Sequence, residues 1–309
     1  MQLQHILGIK YPIIQGAMAN ITTGAFAAAV SNQGAMGIIA TAGMSAEQVR
    51  KEIADCKALT DKPFGLNIML MSPDVDAISD IVLEEGITFV TTGAGNPQKY
   101  MDKWKEAGVK VFPVVPNPTL AKRMEQCGAD GVIAEGTESG GHVGEMTTMA
   151  LVPQVVEAVN IPVIAAGGVA TGKQLLAVEV LGAVGVQIGT CLLVSEECPI
   201  HDKYKQALLK AKGSDTVVTG RNSGTPVRVL RNQMTRDYAK REKEGADKHE
   251  LESYTLGSLR RAVFEGDTLR GSLMTGQVCG ELHEIQPLQT ILDTLMNTYQ
   301  DAKTAISQG

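Results

Sequence analysis

The chain has 309 residues, a formal net charge of −6, a pI near 5.5 and 44% apolar residues. That apolar fraction excludes a mostly disordered chain, and the acidic balance argues against general nucleic-acid binding, which needs clustered Lys and Arg to neutralise phosphates. The length allows one large domain or two modest ones, either with a substantial core.

The N-terminal run Met1-Gln2-Leu3-Gln4-His5 lacks the basic start and apolar stretch of a secretory signal. No eighteen apolar residues run uninterrupted; the nearest candidate, 180–194, is broken by Gly and Gln187, so no membrane span is expected. Five Cys, an odd number without a C-x-x-C pair, fit a reducing cytoplasm better than a disulfide framework or zinc site.

β-rich apolar runs read as strands at Ile13–Gln15, Met36–Ala40, Phe64–Met69, Phe89–Thr92, Lys110–Val115, Gly131–Glu135, Pro162–Ala166 and Val184–Gly189. Helical stretches alternate with them: Thr23–Asn32, Ser45–Leu59, Asp74–Glu85, Pro97–Ala107, Pro118–Gln126, Met149–Val159 and Lys173–Leu181. A small polar residue before an acidic first turn starts the second of these at Ser45. Gly86, Gly108, Gly128 and Gly182 sit where helices should end in a left-handed turn. This alternation implies parallel strands joined by crossovers, and about eight units imply an α/β fold, a closed (β/α)8 TIM barrel.

After about residue 198 the pattern changes. Residues 221–271 carry 11 Lys/Arg against 8 Asp/Glu, a local +3 in an acidic chain. Asn232–Gly245 and Leu251–Phe264 read as helices, so residues 199–270 are expected to form a small, mainly helical lid on a barrel of residues 1–198. Residues 271–309 then return to the barrel through a helix at Pro287–Ala305.

In such a barrel, chemistry belongs to the loops at the C-terminal ends of the strands. Those loops carry Gly16, Ala17, Met18, Asn67, the run Gly93-Ala94-Gly95-Asn96, Glu135, His142, Gly167, Gly168, Gly189 and Thr190. Gly167, Gly168, Gly189 and Thr190 look like a phosphate cradle of open backbone amides plus one hydroxyl, although a plain chain reversal would also use the glycines. The run starting at Gly93 lacks the third Gly of a dinucleotide fingerprint, position 98 being Gln, and is read as a barrel loop. His142, in a Gly-rich stretch beyond the sixth strand, could donate a proton or polarise a carbonyl, or be an ordinary loop histidine. Glu135 ends a buried strand and needs hydrogen-bond donors, from a ligand or from neighbouring loop amides. Cys191 and Cys198 read as buried small hydrophobes, and Met18, Met69, Met71 and Met274 as an adaptable apolar lining or core. No His/Asp/Glu grouping has metal-ligand spacing.

At YPIIQGAM (11–18), TDKPFGLNIM (60–69), VTTGAGNPQKY (90–100), VIAEGTESGGHVG (132–144), PVIAAGG (162–168) and VQIGT (186–190) the chain resembles the nitronate monooxygenase superfamily of FMN barrels. NQMTRDY (232–238) and GSLMTGQVCG (271–280) extend a resemblance to its flavin-dependent bacterial enoyl-[acyl-carrier-protein] reductases. The resemblance implies NADH- or NADPH-dependent, FMN-mediated reduction of trans-2-enoyl thioesters on acyl carrier protein. His142 matches the family's active-site histidine. Gly16, Ala17 and Met18 would border the flavin ring, with Asn67 and Glu135 bonding its polar parts. Gly167, Gly168, Gly189 and Thr190 would hold its phosphate, and Met274 and Gln277 would return to the ring. Ala17 departs from relatives with two glycines, which a negative φ would accommodate. Arg228, Arg231, Arg236, Lys240 and Arg241 are expected docking charges for an acidic carrier. The rival on the same site is a nitronate monooxygenase with His142 as base; a flavin- or nucleotide-binding sensor without turnover is the second. The sequence leaves the oligomeric state open, a homodimer included.

Overall fold

Strand alternation sorts the barrel's side chains into two layers, and the computed structural model, described over residues 1–308, shows both. The barrel strands are β1 (Ile13–Gln15), β2 (Gly37–Ala40), β3 (Phe64–Met69), β4 (Phe89–Gly93), β5 (Lys110–Val115), β6 (Val132–Glu135), β8 (Val163–Ala166) and β9 (Gly185–Ile188). Between β6 and β8 lies the two-residue β7 (Gly141–His142), outside the barrel. The eight barrel strands are parallel in the order β1-β9-β8-β6-β5-β4-β3-β2. A bridge between Ile14 and Met36 brings the two edges together. At this seam the Gln15 Oε1 accepts from Ile38 N at 3.0 Å, so a side chain supplies a bond that the short ladder lacks.

Inward-facing Ile14, Ile38, Phe89, Phe112, Ile133 and Ile164 fill the barrel floor, and Leu3 and Leu7 of the helix Leu3–Leu7 plug it from below. The outward set, including Val90, Val111, Val132 and Val186, packs against the surrounding helices. The helix Ala46–Leu59 begins with the Ser45 capping box that its sequence suggests. Gly86, Gly108, Gly128 and Gly182 all have positive φ at the ends of their helices. Among the described residues no helix is long and apolar enough to cross a membrane.

The lid differs from the expectation in two ways. It contains strands as well as helices: β10 (Thr216–Thr219) and β11 (Val227–Leu230) pair antiparallel, and β11 also pairs with β7. The stretch expected as one helix over 251–264 is broken, because Gly257 adopts φ +71° between Lys248–Thr255 and Ser258–Arg260. A π-helical turn at Arg261–Glu265 follows. The C-terminal helix Leu288–Gln308 lies against the helix Gly172–Val180, where Tyr299 and Lys303 bond Glu179.

Candidate active site

Inward-facing positions become polar only at the strand ends. Asn67, Thr91, Glu135 and Gln187 alternate with outward Leu66, Val90, Ala134 and Ile188, so all four project into the top of the barrel. Asn67 Nδ2 donates to Thr91 Oγ1 at 2.9 Å. Glu135 accepts from Ser139 Oγ at 2.8 Å. Burial pushes the Glu135 carboxyl up to about 7, against which the Ser139 hydroxyl pulls down. Gln187, buried in an otherwise apolar strand, is absent from the sequence-derived site; its inward register was the signal that could have found it.

The raised Glu135 pKa should appear as pH-dependent stability of the ligand-free protein. The native carboxyl keeps its proton to higher pH than the unfolded one, whose ordinary value is 4.5. Its contribution is therefore fully present below about pH 4.5 and is lost as pH rises through 7, by about 3 kcal/mol. Urea midpoints measured across this window should lose that slope in Glu135→Gln; an identical slope in the variant would assign it to other groups.

Above the polar ring lie the mouth glycines. A Cβ added at Gly189 would meet only Met18 Sδ at 3.5 Å, one at Gly141 only Met274 Sδ at 3.6 Å, and one at Gly93 nothing within 4 Å. Floor glycines differ: a Cβ at Gly37 would lie 2.0 Å from Ala27 O. The floor glycines thus serve packing, whereas these mouth glycines border open space. Gly16 lies close to Gly189, 3.5 Å from its would-be Cβ to the Gly189 Cα, which joins the first and last loops. Gly167 and Gly168 hold φ +81° and +76°, and Ala17 is not among the residues of positive φ, so its methyl is tolerated. The buried Thr190 hydroxyl accepts from Gly276 N at 2.8 Å, tying the last strand-end loop to the C-terminal segment.

His142 does not sit in a free stretch. It pairs with Val227 of β11, and Gly141 pairs with Arg228. The same edge of β11 receives Met274 opposite Val229, with Leu230 N bonding Leu273 O at 2.9 Å. One lid strand therefore aligns His142 and Met274, which are 132 positions apart in the chain. The loop leading to His142 is held at further points. Glu138 accepts from Thr148 N at 3.0 Å, and its backbone O accepts from Gln277 N at 2.9 Å. A Cβ at Gly140 would fall 2.6 Å from the Thr275 backbone. His142 is exposed at the mouth, yet the protein around it lowers its pKa below the ordinary 6.5 through desolvation.

Arg228 corrects the sequence reading. It is 7% exposed, its Nε donates to Thr137 O at 3.0 Å and its guanidinium to Thr216 Oγ1 at 2.9 Å, so it is an internal pin and not a docking charge. Arg231, Arg236, Lys240 and Arg241 are exposed. Arg228→Met should cost about 2 kcal/mol by stranding two acceptors, and should loosen the loop that carries His142. Denaturant melts test this; an unchanged midpoint would show that the pin does not hold the histidine loop. Gln277 N bonds Glu138 O at 2.9 Å and its side chain is exposed, and Met71 is 77% exposed. Cys191 and Cys198 are buried, their thiols pushed up to about 12 and about 11 by burial, as their reading as small hydrophobes requires.

These residues fit a flat ring with a phosphate arm. Open-faced glycines border one end, polar groups ring the top of the barrel beneath them, and the buried hydroxyl of Thr275, which packs against the His142 loop, lacks a protein partner. Residues 1–80 and 76–298 match the sequence profile of the nitronate monooxygenase family. FabK from Thermotoga maritima is 45% identical, with 99% of this chain and 98% of that one covered at a TM-score of 0.96. A nitroalkane oxidase from Streptomyces ansochromogenes is 27% identical, with 96% and 98% covered at a TM-score of 0.86. A probable nitronate monooxygenase of Staphylococcus saprophyticus is 33% identical over 88% of this chain and 90% of its own. An indene-carboxyl-CoA dehydrogenase of Mycobacterium tuberculosis is 30% identical over 95% and 94%. The chain thus belongs to the nitronate monooxygenase family and is a flavin-dependent oxidoreductase.

Proposed function

We propose that the protein reduces trans-2-enoyl thioesters on acyl carrier protein, with FMN at the barrel mouth and NADH or NADPH as co-substrate. The observation that carries this reading is the margin of likeness. Identity to FabK, the reductase type that the motifs resemble, is 45%, against 33% and 27% for the nitronate- and nitroalkane-oxidising relatives. A relative named for a carboxyl-CoA compound supports a thioester substrate.

FMN, when bound, supplies the hydride chemistry. The chain's own part is to seat, orient and polarise. Gly167, Gly168, Gly189 and Thr190 would offer backbone amides and a hydroxyl to the FMN phosphate. Gly16, Ala17 and Met18 would border the ring, Met274 and Gln277 would return to it from the C-terminal segment, and Asn67 and Glu135 would bond its polar parts. His142, neutral at pH 7, donates an N–H to the thioester oxygen and so stabilises the negative charge that grows there as the β-carbon is reduced. A proton delivered to the α-carbon completes the saturated acyl thioester.

The test is anaerobic oxidation of NADH and of NADPH with crotonyl thioester. Thioester-dependent oxidation supports the reading. Turnover of an alkyl nitronate with oxygen, without any thioester reduction, would replace it by the monooxygenase reading, which the names of several relatives favour.

A further inference from the structure

We propose that the lid surface of residues 256–270 is the docking face for the acidic carrier that presents the thioester. The proposal rests on the reductase reading above and adds to it where the partner lands.

Large apolar side chains are seldom exposed in this chain, yet Leu256, Phe264 and Leu269 fall within one short stretch at 80%, 50% and 67% exposure. The stretch folds on itself. Arg261 donates from its guanidinium to Leu256 O at 3.3 Å, Asp267 N bonds Arg261 O at 3.2 Å, and Gly271 N bonds Asp267 O at 3.1 Å. The result is a knuckle and not an extended loop. It is fastened to the lid helix Gln233–Lys243 by Asn232 Nδ2 on Gly271 O at 2.8 Å and Met234 N on Leu269 O at 3.0 Å.

The charges point the same way. Arg260 lies over the exposed Phe264 ring at 5.2 Å. Arg231, Arg236, Arg260, Arg261 and Arg270 form no ion pair among the described residues, whereas Arg50 and Arg241 each hold a carboxylate. Asp267 makes no ion pair with them; its carboxylate accepts instead from Leu269 N and Arg270 N at 3.0 and 2.8 Å. Unpaired guanidinium groups beside exposed Leu and Phe are the composition of a binding hot spot, with the charges setting encounter rate and register. A two-fold contact between copies of this chain would bring together two faces with the same unpaired arginines, a like-charge juxtaposition. An acidic surface with an apolar centre suits the face. The knuckle also leads straight to the mouth. Ser258 and Ser272 share a hydroxyl hydrogen bond of 2.7 Å, and Met274, two residues on, stands beside Gly141.

The experiment compares one enoyl group on two carriers, acyl carrier protein and CoA, in the wild type, in Arg270→Glu and in Phe264→Ser/Arg260→Glu. The expected result is a tenfold or greater loss of kcat/KM for the protein-borne substrate, with the CoA thioester and bound flavin unchanged. Added salt should weaken the wild-type preference for the protein carrier. Equal losses on both substrates, or no loss on either, overturn the docking face. So does a shift in sedimentation from dimer to monomer with carrier kinetics intact, which would make the face a contact between copies. If the wild type reduces neither thioester, the reductase reading itself fails, a result separable from the others.

Discussion

His142→Ala should retain flavin and lose about two to four orders of magnitude in enoyl reduction, the usual worth of a positioned acid–base or polarising group. The expectation follows from where the imidazole is held. Its backbone is paired to β11, the preceding loop is fixed through Glu138 and Arg228, and no part of the strand-end glycine rim depends on its side chain. Because desolvation lowers its pKa, the neutral ring predominates at pH 7. The rate should therefore be level from about pH 7 to 8 and change only at lower pH, as the imidazole takes up a proton. Stopped-flow measurement of each half-reaction separates the roles: nicotinamide oxidation should persist while thioester reduction collapses. Full activity in the variant would remove His142 from the mechanism.

The second large effect is expected at the predicted phosphate cradle. Gly167→Val imposes two penalties at once. Its φ of +81° is a conformation that β-branched residues avoid, and a Cβ there would stand 2.8 Å from Gly136 O, which is backbone and cannot swing aside. The strain is of order 1–3 kcal/mol before any clash. The purified variant should be largely colourless and should regain little absorbance when incubated with FMN. Gly168→Ala is the gentler control. It shares the positive φ, but its Cβ would meet only the Glu138 side chain at an ordinary 3.6 Å, so flavin should be weakened and not lost. A Gly167→Val protein that stays fully yellow would separate this turn from flavin binding.

The barrel was readable because each strand is a short apolar run closed by a turn signal. Phe64–Met69 and Lys110–Val115 have in the structure the bounds read from the sequence. The expected mouth residues collect at one rim for the same reason, since parallel strands deliver all their C-terminal ends to one side. The lid sheet was not readable. Thr216–Thr219 and Val227–Leu230 are four residues each, too short for alternation to show. Their third partner is Gly-His, which has no strand character, and the pairing spans more than eighty positions. Arg228 was misread through the same gap: a basic residue in a basic segment suggests a solvated face unless its strand register is known. Gln187 illustrates the converse, because a single polar residue in an apolar strand matters only once its inward side is established.

The sharing of one β11 edge by two distant segments has a consequence for the enzyme's birth. Synthesis from the N-terminus completes every stave of the barrel before the rail that seats the histidine exists. A ribosome-bound intermediate could therefore enclose a cofactor, yet it would carry an unseated imidazole. Turnover that uses this histidine would begin only when the last third of the polypeptide has wrapped back over the opening.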